Sequence, residues 1–126
     1  MEQPRDQIRF SVVVPAYNEA AYLGRALDSL QHQDYDGTYE IIVVDNNSTD
    51  NTATIAARYG VRLVKEAQQG VCAARQRGAD SARGEIIIST DADTTQPCDW
   101  LRTIDARFAA SKQIVAVAGP CRYQNP

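Results

Sequence analysis

The chain has 126 residues, 44% of them hydrophobic and 23% charged, with a formal net charge of -3. These values fit one globular domain, residues 1–126, large enough to bury a core, and they exclude disordered and fibrous classes. The acidic balance gives no electrostatic footprint for nucleic acid or an anionic membrane surface.

The first apolar run, "FSVVV" at residues 10–14, is β-branched and stopped by Pro15, which predicts a strand. Asn18 can cap a following helix whose apolar positions Leu23, Ala26, Leu27 and Leu30 recur at helical spacing. A turn over residues 34–38 leads to a second buried strand, "IIVV" at residues 41–44. In "DNNSTDN", the Ser, Thr and Asp side chains can satisfy free N–H groups at the start of a helix carrying Ala53, Ile55, Ala56 and Ala57, with Gly60 as its terminator. Residues 61–64 read as a short third strand. "GVCAARQRGADSARG", bracketed by Gly70 and Gly84, reads as a helix despite Gly78, and residues 85–89 as a fourth buried strand. Gln96 and Pro97 then break the chain. Asp99, or the residue before it, caps a helix with Leu101, Ile104 and Phe108 on one face, and residues 114–118 form a fifth strand.

Continuously apolar strands alternating with helices predict an α/β fold, a Rossmann-like, mostly parallel sheet with helices on both faces and right-handed crossovers. No repeat, linker or low-complexity tract divides the chain. Cys72, Cys98 and Cys121 are odd in number and form no C-x-x-C pair, which argues against a disulfide framework and a thiolate zinc site. His32 is the only histidine, so neither a Ser/His nor a Cys/His catalytic pair has support. "MEQPRDQIR" lacks the layout of a signal peptide, and no apolar stretch approaches the roughly 18 residues of a membrane span, so the expectation is a cytoplasmic chain.

Ligands of open parallel sheets bind at the carboxyl ends of the strands, which directs attention to the loops at residues 15–19, 45–50 and 91–95. Neither G-x-G-x-x-G nor G-x-x-x-x-G-K-[ST] is present, so dinucleotide and P-loop readings lack their phosphate cradles. A receiver domain needs an acidic pair after its first strand, where this chain has Pro15 and Ala16. Asp91 and Asp93 lie at alternate positions of what reads as an extended segment. Both carboxylates can then face one site and offer hard oxygens to Mg²⁺ or Mn²⁺. Taken alone, an acidic turn capping the next helix explains the pair as well.

"VVVPAYNEAAYLGRALDSL", "IIVVDNNSTDNT" and "GVCAARQRGADSARGEIIISTDADT", in this order, resemble the donor-binding half of the family-2 glycosyltransferases, which have the GT-A fold. The resemblance implies that Pro15, Ala16, Tyr17 and Asn18 form the loop against the base and ribose of a nucleotide, and that Glu19 opens the following helix. It implies that Asp45 hydrogen-bonds the base, typically uracil, and that Arg75 of the G-x-x-x-A-R segment faces the nucleotide. Asp91, Ala92 and Asp93 match the D-x-D, with both aspartates meeting the metal, the diphosphate and the sugar.

From the residues alone, Tyr17 serves equally as a packing residue, Asp45 as a helix cap and Arg75 as a solvated surface charge; Ser48, Thr49 and Asp50 read as caps only. Asn46 and Asn47 stand where many relatives have Asp-Gly, and asparagine tolerates the left-handed backbone. The implied function is transfer of a sugar, with inversion, from a UDP-sugar to an acceptor hydroxyl on a saccharide or lipid-linked acceptor. A full-length protein of this kind is expected at the inner face of the membrane. The chain stops soon after the fifth strand, short of the family's acceptor region and its acidic catalytic base, so no residue is assigned as catalytic.

Two rivals stand beside this reading. "DADTT" also meets the D-x-D-x-T of haloacid-dehalogenase-type phosphohydrolases, with Asp91 as nucleophile and Asp93 as acid/base. That reading leaves the first two loops without a role. The other is a non-catalytic nucleotide-binding module.

Overall fold

The computed structural model describes residues 8–110, in the order β1 (Ile8–Ala16), α1 (Leu23–Gln31), β2 (Tyr39–Asp45), α2 (Thr52–Arg58), β3 (Arg62–Lys65), α3 (Val71–Ser81), β4 (Gly84–Ser89) and α4 (Trp100–Ala110). The strand expected at residues 114–118 lies outside the described residues.

The strands form one sheet in the order β3-β2-β1-β4, and every pairing is parallel. Winding from β1 to β2 to β3 proceeds in one direction and then reverses to place β4 on the far side of β1. Right-handed crossovers require the connecting helix to change face at that reversal. The two apolar clusters show this: Phe10, Val12 and Val14 meet Leu23, Leu27 and Leu30 of α1 and Ala56 of α2 on one face, while Val13, Ile42 and Val44 meet Ala74 of α3 on the other. α4 joins the α1 face through Leu101 and Ile104. Helices therefore cover both faces, as the apolar strands predict.

Gly78 shows why a glycine is tolerated inside α3. A Cβ there would lie 2.3 Å from Cγ1 of Val13 and 3.2 Å from Cγ2 of Val44, so the helix rests on the sheet through bare backbone.

Three local expectations need correction. β1 runs through Pro15 to Ala16. The last β1–β4 pair is Val13 with Ser89, so Pro15 falls two residues past it and its missing N–H does not interrupt the β1–β4 ladder. Asn18 does not cap α1, whose N-cap is Tyr22 without a side-chain hydrogen bond. The fourth strand is not fully buried, because Ile87 is 47% exposed on the face that α3 leaves open.

Candidate functional site

The reversal between β1 and β4 opens a crevice at the carboxyl ends of the strands, the general ligand position of open α/β sheets. A cleft of about 460 Å³ occupies it, lined by Pro15, Ala16, Tyr17 and Glu19 after β1, Asn46 after β2, Gln69, Gly70, Val71 and Ala74 at the start of α3, and Asp91, Ala92 and Asp93 after β4. Loops that the sequence marks separately thus converge on one cavity.

The aspartates arrive by a different local geometry from the one expected. The N–H of Thr94 bonds the carbonyl of Asp91 at 3.3 Å, and Ala92 and Asp93 sit in the turn so closed. A turn, not an extended strand, presents both carboxylates to the cleft. Ala92 anchors that turn, being 2% exposed within the α1-face core.

Arg75 is held at the end of β4. Its Nε donates to Oγ of Ser89 at 3.3 Å, and its Nη2 lies 3.7 Å from Oδ1 of Asp91. The side chain is therefore positioned beside the aspartate turn and is not a freely solvated helix charge. Tyr17 is 48% exposed and so is not a core residue. Trp100 is buried in the core and does not line the cleft.

The first loop is fastened to the second. Asn18 adopts a left-handed φ of 52°, its N–H donates to Oγ of Ser48 at 2.9 Å, and its Oδ1 accepts from the Thr49 N–H at 2.8 Å. Oγ1 of Thr52 takes the Glu19 N–H at 2.9 Å and itself donates to Asp50 Oδ1, while Asp50 Oδ2 takes the Ala20 N–H at 3.2 Å. Asp50 also accepts from the N–H of Thr52 at 2.9 Å, the helix-start role expected of it. Ser48 and Thr49 bond the first loop rather than the α2 terminus. Glu19 precedes α1 by a turn, its carbonyl accepting from the N–H groups of Tyr22 and Leu23.

Asp45 is 4% exposed and does not line the cleft. Its Oδ1 accepts from the Ser48 N–H at 3.0 Å, and its Oδ2 lies 3.9 Å from Nζ of Lys65. The next residue, Asn46, does line it. Only Asn47 of the two asparagines is left-handed, at φ 67°. Gln69 and Val71 are lining residues to which sequence reading assigned no ligand-facing place, whereas Asn46 lies in the 45–50 loop and Gly70 opens the G-x-x-x-A-R segment. Gly70, an N-cap without a side chain before an alanine-rich helix, carried the one visible signal.

The electrostatics are one-sided. Glu19, Asp91 and Asp93 line the cleft; among the described residues no basic side chain is in that lining, and Arg75 stands beside it with Nη2 3.7 Å from Asp91. Burial, with repulsion from Asp93, Asp91 and Asp50, holds the Glu19 carboxyl above its ordinary value. A cation between these carboxylates and an anionic diphosphate would offset their repulsion. Among the described residues no group of three or more His, Cys, Asp or Glu side chains could hold a metal ion. Asp91 and Asp93 therefore fit a Mg²⁺ or Mn²⁺ ion only as part of a shell that ligand oxygens and water complete.

Residues 11–126 match the family described as "Glycosyl transferase family 2". The parallel α/β sheet with its crevice is that of the GT-A glycosyltransferases, and the chain belongs to family 2 of them. It is 36% identical over 98 residues to the glycosyltransferase AglE of Haloferax volcanii, covering 72% of this chain and 32% of that protein. Among solved structures it resembles TarS of Staphylococcus aureus in complex with UDP, with a TM-score of 0.76 and 30% identity over 82% of this chain and 32% of that one. It also resembles the mannosyltransferase PcManGT of Pyrobaculum calidifontis in complex with GDP-Man and Mn²⁺, with a TM-score of 0.75 and 34% identity over 86% of this chain and 34% of that one. The chain thus spans about a third of the length of these relatives. Family membership removes the dehalogenase-type reading of "DADTT". Among the described residues no helix is long and apolar enough to cross a membrane.

Proposed function

We propose that this chain carries the donor site of an inverting glycosyltransferase, binding a nucleotide-sugar, with UDP as the nucleotide, through a divalent cation. The observation that carries the proposal is the meeting of Tyr17, Gly70 and Val71 at the start of α3, and the aspartate turn in one acidic cleft at the sheet's reversal. Solved relatives titled with UDP, or with GDP-Man and Mn²⁺, support this choice of ligand and ion.

In this reading Tyr17 offers an exposed ring to the base, and the loop of Pro15, Ala16 and Asn18 lies along the ribose. Asp45 acts on the base edge, which requires its carboxylate to exchange the Ser48 N–H for a donor on the ligand. Asp91 and Asp93 would hold Mn²⁺ or Mg²⁺, which when bound would supply positive charge to a diphosphate leaving group. Arg75, already beside Asp91, adds a second positive charge toward the phosphates. Glu19 adds negative charge that favours cation entry. The acceptor hydroxyl attacks the anomeric carbon in one step as the nucleotide diphosphate leaves. The sugar, the acceptor saccharide or lipid-linked acceptor, a cytoplasmic location and the group that removes the acceptor proton are assigned to the whole protein.

Calorimetric titration of UDP with and without Mn²⁺ tests the site. Wild-type protein should bind in a metal-dependent manner, and the doubly substituted D91A/D93A protein should lose at least about tenfold in affinity, or about 1.4 kcal/mol. Equal metal dependence in both proteins would remove the assignment of the aspartate turn.

A further inference from the structure

Asn46 is 4% exposed and lines the cleft, and its carboxamide is hydrogen-bonded within the protein. Nδ2 donates to the carbonyls of Glu66 at 2.9 Å and Gln68 at 2.8 Å, and Oδ1 accepts from the N–H of Gly70 at 2.9 Å. The residue's own carbonyl accepts from Nε2 of Gln69 at 2.7 Å, and its N–H donates to the carbonyl of Ala16 at 2.8 Å. Both amide hydrogens and the amide oxygen are thereby used. The reversed orientation of the amide would set an oxygen against two carbonyls, so the network admits one orientation only.

These partners belong to two different walls. Ala16 ends β1, whereas residues 66–70 form the connection from β3 into α3 and bring Gln69, Gly70 and Val71 to the cleft. Among the described residues the connection is otherwise held by the Glu66 N–H on the Asp45 carbonyl at 3.0 Å and the Gln68 N–H on Oε2 of Glu66 at 2.9 Å; Ala67, Gln68, Gln69 and Gly70 are exposed, and Gly70 sits at φ 131°, a conformation that residues with a Cβ avoid. Without a side chain at Asn46, the Gly70 N–H and the two carbonyls would turn to solvent and the α3 wall would lose its register with the β1 wall.

We infer that Asn46 is a positioning residue for nucleotide binding: its side chain staples the β3–α3 connection and sets the width of the cleft between Gly70–Val71 and Tyr17. The inference rests on the donor-site reading above and adds to it a residue that acts through the loop. Aspartate is not a substitute. It can still accept from Gly70 but has no hydrogen for either carbonyl, and it buries a charge.

The test uses the full-length protein, with Asn46→Ala, Asn46→Asp and, as a stability control distant from the cleft, Ile104→Val. UDP affinity in the presence of Mn²⁺ is measured well below each protein's thermal midpoint, and amide hydrogen exchange is followed at Gly70. Both Asn46 variants should bind UDP at least about tenfold more weakly, while the control binds as wild type does. In unmodified protein the Gly70 amide should exchange at least about tenfold more slowly than an unprotected amide, a reading that needs no variant to fold. Unprotected exchange at Gly70, or wild-type affinity in either Asn46 variant, would overturn the proposal. Failure of the wild-type protein itself to bind UDP with Mn²⁺ would instead bring down the donor-site reading, and this proposal with it.

Discussion

Two carboxylates show how much the surroundings decide at the level of single residues. Glu19, half-buried among other acids, is pushed up; Glu40, at the opposite end of the sheet, is pulled down. Burial alone would raise Glu40 as well, but hydrogen bonds from the Ser11 hydroxyl, the Arg83 N–H at 2.7 Å and the Arg62 guanidinium at 2.8 Å outweigh it. Those donors come from β1, from the end of the α3–β4 connection and from β3, so one carboxylate ties together the edge of the fold away from the cleft. A lowered folded-state value means that Glu40 stabilises the protein above its ordinary value of 4.5, and that this contribution disappears as pH falls through the lower folded value. Glu40→Gln should therefore cost about 1–3 kcal/mol at pH 7, with the gap to wild type narrowing below about pH 4, in denaturant titrations across pH. A gap that stays constant with pH would show that the carboxylate's charge is not what binds this edge.

Among the elements, α3 is the one whose placement is most constrained. It crosses to the face opposite α1 because the winding reverses, and it lies close to β1 and β2 because Gly78 has no side chain. Replacing a helical glycine by alanine ordinarily gains about 1 kcal/mol of propensity. Here the added methyl meets Val13 inside contact distance, so Gly78→Ala should instead destabilise by about 1–3 kcal/mol, read from the urea midpoint, and a stabilised variant would refute the packing argument. α4 depends equally on a neighbour. Its Leu101 N–H is taken by Oε1 of Gln33 at 2.9 Å, and the same side chain donates to the Pro97 carbonyl at 2.8 Å, so a residue just past α1 supplies a cap that a local reading sought at Asp99. The β2–α2 loop likewise spends Ser48, Thr49 and part of Asp50 on the loop after β1. Helix-capping residues are legible in sequence as types; which terminus they serve depends on what the fold brings near.

For the molecule as a whole, the proposed donor site implies that metal and nucleotide bind together. With only two carboxylates in the aspartate turn, Mn²⁺ alone would have a poor shell, which the oxygens of UDP would help to complete. Thermal unfolding of the full-length protein should shift little with MnCl2, little with UDP, and clearly with both. At a ligand concentration about a hundredfold above Kd the gain is about 2.7 kcal/mol. Additive, independent shifts would argue that the two bind at separate places.

The α/β class, the parallel sheet, the helices on both faces and the family itself were open to a reader of the sequence, because apolar runs, their periods and three linked motifs are local patterns. So were the positions of Tyr17, Glu19, Asp91 and Asp93, which lie in the polar segments that end apolar strands. The burial of Asp45 against the Ser48 N–H, the turn that carries the aspartates and the clasp made by Asn46 were decided only by tertiary structure. Each depends on partners that backbone spacing does not reveal: the amide of Asn46 is satisfied from 20 to 24 residues further along the chain. Local sequence sets which groups can bond, and the approach of separate strands and loops determines which of them do.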